Sequence, residues 1–333
     1  MKYALRLVRF PNLIIVGITQ YALQYGILCP IWQQIGVKQM FPPFQFFWLT
    51  LTTILIAASG YVVNDIEDVD IDRLNKPEHK RIVGKIYPLS ICWKIYYILV
   101  IFGFIMNCCM IFYISNFIQI LIYPFAVLLL WAYSKWFKRQ FLIGNIVVAG
   151  FCAFVAWVVF YFQSLSMNDV SMPTFSDIQR VFSVDTRLFT PELDGEVGFK
   201  TFQIHYVISI FIGYGLFAFI STLFREIIKD IEDVWGDKAQ GCQTLPVVIG
   251  VEASRKVALS VGIIFLTMII FCNFLLKNHI FKILILDITI LLPLVYTLYL
   301  LSISKEKTDF AFISKLSKLI MLSGLIFILL MKV

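Results

Sequence analysis

Ile54-Leu55-Ile56-Ala57-Ala58-Ser59-Gly60-Tyr61-Val62-Val63-Asn64-Asp65-Ile66-Glu67-Asp68-Val69-Asp70-Ile71-Asp72 runs from an apolar tract into a row of carboxylates. The apolar part, placed at 45–64, meets the requirement of about 20 residues for a helix that crosses the hydrocarbon core of a bilayer. Asp65, Asp68 and Asp72 follow at i, i+3 and i+7, a spacing that sets all three carboxylates on one helix face. The same pattern returns in Asp230-Ile231-Glu232-Asp233-Val234-Trp235-Gly236-Asp237, after the apolar run at 203–226. The offset is constant: 230 − 65, 233 − 68 and 237 − 72 all equal 165.

Carboxylates stacked on one face repel one another. They stand here at helix C-termini, where the dipole is already negative, and beside hydrocarbon, where a charge costs several kcal/mol. A solvated acidic loop at the membrane edge accounts for one such triad; two with identical spacing on one side of the membrane require cationic compensation. Hard divalent cations with oxygen ligands supply it, and Mg²⁺ takes one or two carboxylates together with phosphate oxygens. Candidate metal ligands are therefore Asp65, Asp68, Asp72, Asp230, Asp233 and Asp237, with Asp68, Asp72, Asp233 and Asp237 expected at the chemistry. Glu67, Asp70 and Glu232 fall off the shared face. A diphosphate also needs basic partners, and Lys138, Arg139, Arg225, Lys229 and Arg81 are the candidates for it.

The rest of the chain extends the membrane reading. Of 333 residues, 60% are hydrophobic and 15% charged, and the mean hydropathy is +0.85; soluble domains carry more charge and less apolar surface. Spans are expected near 11–30, 45–64, 91–114, 117–135, 142–163, 203–226, 256–276, 281–302 and 311–331, giving an all-α polytopic bundle of about nine transmembrane helices in a single domain over 1–333. With the N-terminus inside, 21 of the 28 Lys and Arg residues fall on the inner side, Lys315 and Lys318 counted among them. That bias orients the chain with both acidic segments facing the cytoplasm, in a bacterial inner membrane on this reading. The first apolar run serves as its own membrane signal. A polar, net acidic stretch at 164–200 reads as an extracytoplasmic insertion. The seven cysteines form no metal-ligand spacing and read as packing residues. The net charge of +7 lacks a long basic tract, which excludes nucleic acid as the expected partner, and no obligate protein partner is evident.

Asn64-Asp65-x-x-Asp68-x-x-x-Asp72 and Asp230-x-x-Asp233-x-x-x-Asp237 resemble the paired motifs of the UbiA superfamily of intramembrane prenyltransferases. Arg9-Phe10-Pro11-Asn12, Tyr133, Lys138-Arg139 and Gly144-Asn145 also look like family positions. Arg225–Asp233, Gly236-Asp237 and Thr244-Leu245-Pro246 look most like the digeranylgeranylglyceryl phosphate synthase branch. The resemblance implies a nine-helix fold, Mg²⁺ as cofactor, Asn64 as a ligand of the metal and the diphosphate beside the motif aspartates, a prenyl diphosphate and a lipid acceptor such as a glycerol phosphate as partners, and transfer of the prenyl group between them. Two alternatives stand beside it: the same fold with an aromatic acceptor of quinone synthesis (4-hydroxybenzoate or dihydroxynaphthoate), and a cation-coupled membrane transporter.

Overall fold

The computed structural model describes residues 2–34, 42–75, 81–114, 120–165 and 196–330. Most of the expected insertion at 164–200 lies outside the described residues, as do Lys76, His79 and Lys80 and the break expected between the third and fourth spans.

Among the described residues twelve helices follow one another: α1 (Lys2–Leu7), α2 (Phe10–Gln34), α3 (Pro43–Glu67), α4 (Val69–Asn75), α5 (Leu89–Ile114), α6 (Ile122–Lys135), α7 (Ile143–Leu165), α8 (Glu196–Ala239), α9 (Leu245–Ile249), α10 (Val251–Leu275), α11 (Ile280–Ile303) and α12 (Lys307–Leu330). Among the described residues, eight are long and apolar enough to cross a membrane: α2, α3, α5, α7, α8, α10, α11 and α12. The span expected at 117–135 coincides with α6, which has 14 described residues. About nine membrane helices is thus close to the count.

Two of these helices contain a π turn, Gln24–Leu28 in α2 and Asp287–Leu291 in α11. Each turn lies just before a proline, Pro30 and Pro293. A proline inside a helix lacks its own N–H and collides with the carbonyl four residues back, and widening the preceding turn relieves both faults.

The packing forms two large apolar clusters. One joins α2, α3, α7 and the first half of α8 around Trp32, Phe46, Phe162 and Phe211. The other joins the second half of α8 to α10, α11 and α12 around Phe224, Phe265 and Phe310. At Gly324 of α12 an added Cβ would come within 2.2 Å of the Phe217 ring, so this glycine lets α12 lie directly on α8. Aromatic and branched residues such as Ile98, Phe112, Phe125 and Phe281 point outward, the solvent-inverted pattern that lipid permits.

Two boundaries differ from the sequence reading, and both concern the acidic segments. First, the helix carrying Asp65 does not continue through Asp72: α3 ends at Glu67, Asp68 takes φ −89° and ψ 2°, and a new helix begins at Val69. The break has an electrostatic reason. In an unbroken helix Asp70 and Asp72 would extend the negative end; in α4 they occupy the first turn, where the dipole is positive. Second, α8 does not stop at 226. It starts at Glu196, inside the expected insertion, and continues unbroken to Ala239, carrying Asp230, Asp233 and Asp237 on its last turns.

Candidate functional site

A cavity of about 820 Å³ opens inside the bundle and is lined by every helix from α2 to α8 and by α12. One end is charged and the other apolar. Along α3 its wall runs from Asp68 to Leu49, 19 residues or about 28 Å of helix, nearly the thickness of the hydrocarbon core. Leu49, Met110, Val158, Phe162 and Leu325 surround the deep part.

At the charged end the two acidic segments converge. Asn64, Asp68 and Asp72 line the cavity from one side, and Asp230, Asp233 and Asp237 from the other. What brings them together is the short 3₁₀ turn Phe137–Arg139 that follows α6. Lys138 forms an ion pair with Asp68, and Arg139 donates to the Glu67 carbonyl at 3.4 Å. The Gln243 N–H, just past α8, donates to the Arg139 carbonyl at 2.8 Å. One turn of chain thereby ties the end of α3 to the end of α8.

Gly144 makes that approach possible, since a Cβ there would stand 2.8 Å from both Lys138 Cα and the Phe137 carbonyl oxygen. Gly144→Ala is expected to push the turn away and lower the rate of the chemistry carried out in this cavity between tenfold and a hundredfold, the scale set by displacing a positioned group by about an ångström. Steady-state rates compared with the thermal unfolding midpoint in detergent check this; an unchanged rate would show that the turn need not hold its place.

Asp68 is held by one oxygen only. Asn64 donates to Oδ2 at 2.9 Å, and Lys138 pairs with the same atom. Oδ1 is buried and has no partner among the described residues. A buried carboxylate oxygen left unpaired is costly, and a cation arriving in the cavity would satisfy it. On α8, Asp230 accepts from Asn145 at 2.8 Å and Asp237 from the Thr244 hydroxyl at 3.0 Å. Asp233, between them, makes no hydrogen bond or ion pair among the described residues. No three acidic, histidine or cysteine side chains among the described residues are close enough to enclose a metal by themselves. Such a donor set fits Mg²⁺, whose remaining ligands are normally water and phosphate oxygens. Burial, with Asp237 beside it, pushes the Cys242 thiol above its ordinary range against the opposing pull of Arg139 and Lys138, which leaves this lining cysteine neutral.

Of the diphosphate candidates, Lys138, Arg139, Arg225 and Lys229 line the cavity with Asn64. Arg225 is engaged by its neighbour Glu226. Two candidates stand elsewhere. Arg81 is not part of the cavity wall. Asp65 also lies off the wall and receives the Arg9 guanidinium at 3.0 Å. Arg9 itself lines the cavity, with its backbone in the left-handed region at φ 50° and its guanidinium 4.9 Å from the Tyr61 ring centroid. Strained backbone of this kind persists where the surroundings hold it in place. Asp65 therefore positions Arg9.

The sequence reading missed Glu226 and gave no role to Arg9 or Asn145. Glu226 was legible, since it precedes Asp230 by four residues and continues that helix face. Arg9 pairs across 56 residues and Asn145 across 85, and no local pattern reports contacts of that range.

The family model for the UbiA prenyltransferase family matches residues 34–319. A digeranylgeranylglyceryl phosphate synthase from Methanosphaera stadtmanae is 29% identical over 281 residues, which cover 82% of either chain. A solved structure of a digeranylgeranylglyceryl phosphate synthase superposes with a TM-score of 0.60 at 23% identity, covering 99% of this chain and 97% of that one. A UbiA homologue from Archaeoglobus fulgidus, solved with GPP and Mg²⁺ bound, gives 0.54 at 16% identity over 98% of this chain and 99% of the other. A bundle of membrane helices, two acidic helix ends meeting over one cavity and a family match across most of the chain lead to one conclusion: this integral membrane protein belongs to the UbiA prenyltransferase family.

Proposed function

We propose that this protein transfers a prenyl group from a polyprenyl diphosphate to a hydroxyl of a glycerol-phosphate lipid, at the cytoplasmic end of a cavity inside the membrane. The observation that carries the proposal is the division of that cavity: carboxylates and cations at one end, hydrocarbon walls along the rest. A prenyl diphosphate has the same division. The synthase names of the relatives support the glycerol-phosphate acceptor, and the inward bias of Lys and Arg supports the orientation.

In the reaction, the bond between the allylic carbon and the diphosphate oxygen breaks and its electron pair leaves with the diphosphate. The acceptor hydroxyl oxygen then bonds to the allylic cation, and its proton passes to the released diphosphate. Asn64, Asp68, Asp72, Asp233 and Asp237 would hold Mg²⁺, which supplies positive charge opposite the leaving group. Lys138, Arg139 and Lys229 bind the diphosphate and stabilise the charge that develops on it. The hydrocarbon walls keep water from the cation. Departure of a diphosphate needs no strong general base.

The test is transfer from radiolabelled geranylgeranyl diphosphate to a panel of acceptors: a geranylgeranylglycerol phosphate, 4-hydroxybenzoate and dihydroxynaphthoate. The glycerol phosphate is expected to be labelled, EDTA to abolish labelling and Mg²⁺ to restore it. Labelling of an aromatic acceptor alone would replace the lipid reading with the quinone one.

A further inference from the structure

Lys318 lies at the centre of the membrane span of α12, Lys307–Leu329. Loop lysines obey the positive-inside rule, but this residue is about 16 Å of helix beyond Lys307 and outside the reach of that rule. A cation at such depth either snorkels to the interface or faces a cavity with something to bind. Here it faces the cavity. Lys307, Lys318, Met321, Leu322 and Leu325 all line it, and the last four stand at i, i+3, i+4 and i+7, a single stripe of α12.

The level of Lys318 follows from how α12 lies on α8. Gly324 packs against Phe217, and Lys307 stands within electrostatic reach of Glu232. The two helices are thus antiparallel with opposing residue numbers adding to about 540, which sets Lys318 opposite Ser221 and Thr222, both on the cavity wall. Helical side chains lean toward the helix N-terminus, so the ammonium is carried about one turn toward the charged end, to the level of Arg225 and Glu226. Those two are paired with each other. Lys318 is exposed to open space and makes no ion pair among the described residues. It stands about a turn, some 5 Å, from the level of Asp230, at the boundary between the polar chamber and the hydrocarbon walls.

We propose that Lys318 binds the phosphate of the acceptor lipid and so sets which acceptor the enzyme takes. This inference rests on the glycerol-phosphate reading above. The prenyl diphosphate has its own cations at Lys138, Arg139 and Lys229, whereas the second substrate brings a second anion that must sit close to the reacting carbon yet apart from the leaving group. An unpaired ammonium a turn away meets that geometry, and a phosphate monoester is a strong acceptor for it.

Lys318→Gln removes the charge and keeps most of the length. In a detergent free of phosphate, the variant is expected to raise the KM for geranylgeranylglycerol phosphate about tenfold or more, the scale of one hydrogen bond to a charged group. The KM for geranylgeranyl diphosphate should stay within about twofold, and Lys318→Arg should restore the acceptor KM. With the same glycerol ether lacking its phosphate, wild type and Lys318→Gln should perform alike, since the partner of the ammonium is gone. Lys315→Gln serves as control: that residue is exposed on α12 but is not part of the cavity wall. An unchanged acceptor KM, an equal rise for both substrates, or a penalty that persists without the phosphate would each overturn the proposal. A wild-type enzyme that uses only aromatic acceptors would instead remove the reading beneath it.

Discussion

Asp68→Asn is expected to lower prenyl transfer about a thousandfold, or about 4 kcal/mol of barrier, in protein that remains folded in the membrane. The reason is the uneven use of its two oxygens. Oδ2 is held by Asn64 and Lys138, while Oδ1 is buried with no partner among the described residues. The amide keeps the shape but not the charge that a cation needs. A structural role predicts something different. If Asp68 serves only to neutralise Lys138, then Asp68→Asn combined with Lys138→Gln should recover activity, because neither charge is left unbalanced. The metal and diphosphate reading expects the double variant to stay inactive. Measured rates for the two singles and the double, with thermal unfolding midpoints alongside, separate these outcomes; recovery in the double would remove Asp68 from the chemistry.

The second large effect is expected at Asp233. This carboxylate has no hydrogen bond or ion pair to lose among the described residues, and it shares a helix face with Asp230 and Asp237. Asp233→Ala should therefore leave the thermal unfolding midpoint unchanged or raise it, by relieving like-charge repulsion, while activity falls by a factor of about a hundred to a thousand. Such opposite movements mark a residue kept for function at a cost in stability. Raising Mg²⁺ should recover part of the lost rate if the carboxylate is a ligand. A variant that loses activity and unfolds at lower temperature would point instead to a packing role.

The contrast between the two acidic segments shows where sequence reasoning reaches its limit. Spacing alone assigned Asp65 and Asp230 the same role, since each opens a triad with identical intervals. In the structure Asp65 receives Arg9 while Asp230 accepts from Asn145 inside the cavity. Helical periodicity assumes an unbroken helix, and that assumption holds across Asp230–Asp237 and fails at Asp68. Arg81 stands off the cavity for a related reason: basic residues near an acidic motif in sequence need not face it in space.

From its residues alone this chain is legible as a membrane bundle with two acidic helix ends, because hydrocarbon leaves the backbone few alternatives to helices and makes every charge near it conspicuous. Tertiary structure decided which charges meet. The bracket made by Phe137–Arg139, the turning away of Asp65, the capture of Arg9 and the inward position of Lys318 all depend on how helices far apart in sequence lie against one another. Those placements come from packing contacts between distant segments, to which local spacing is blind.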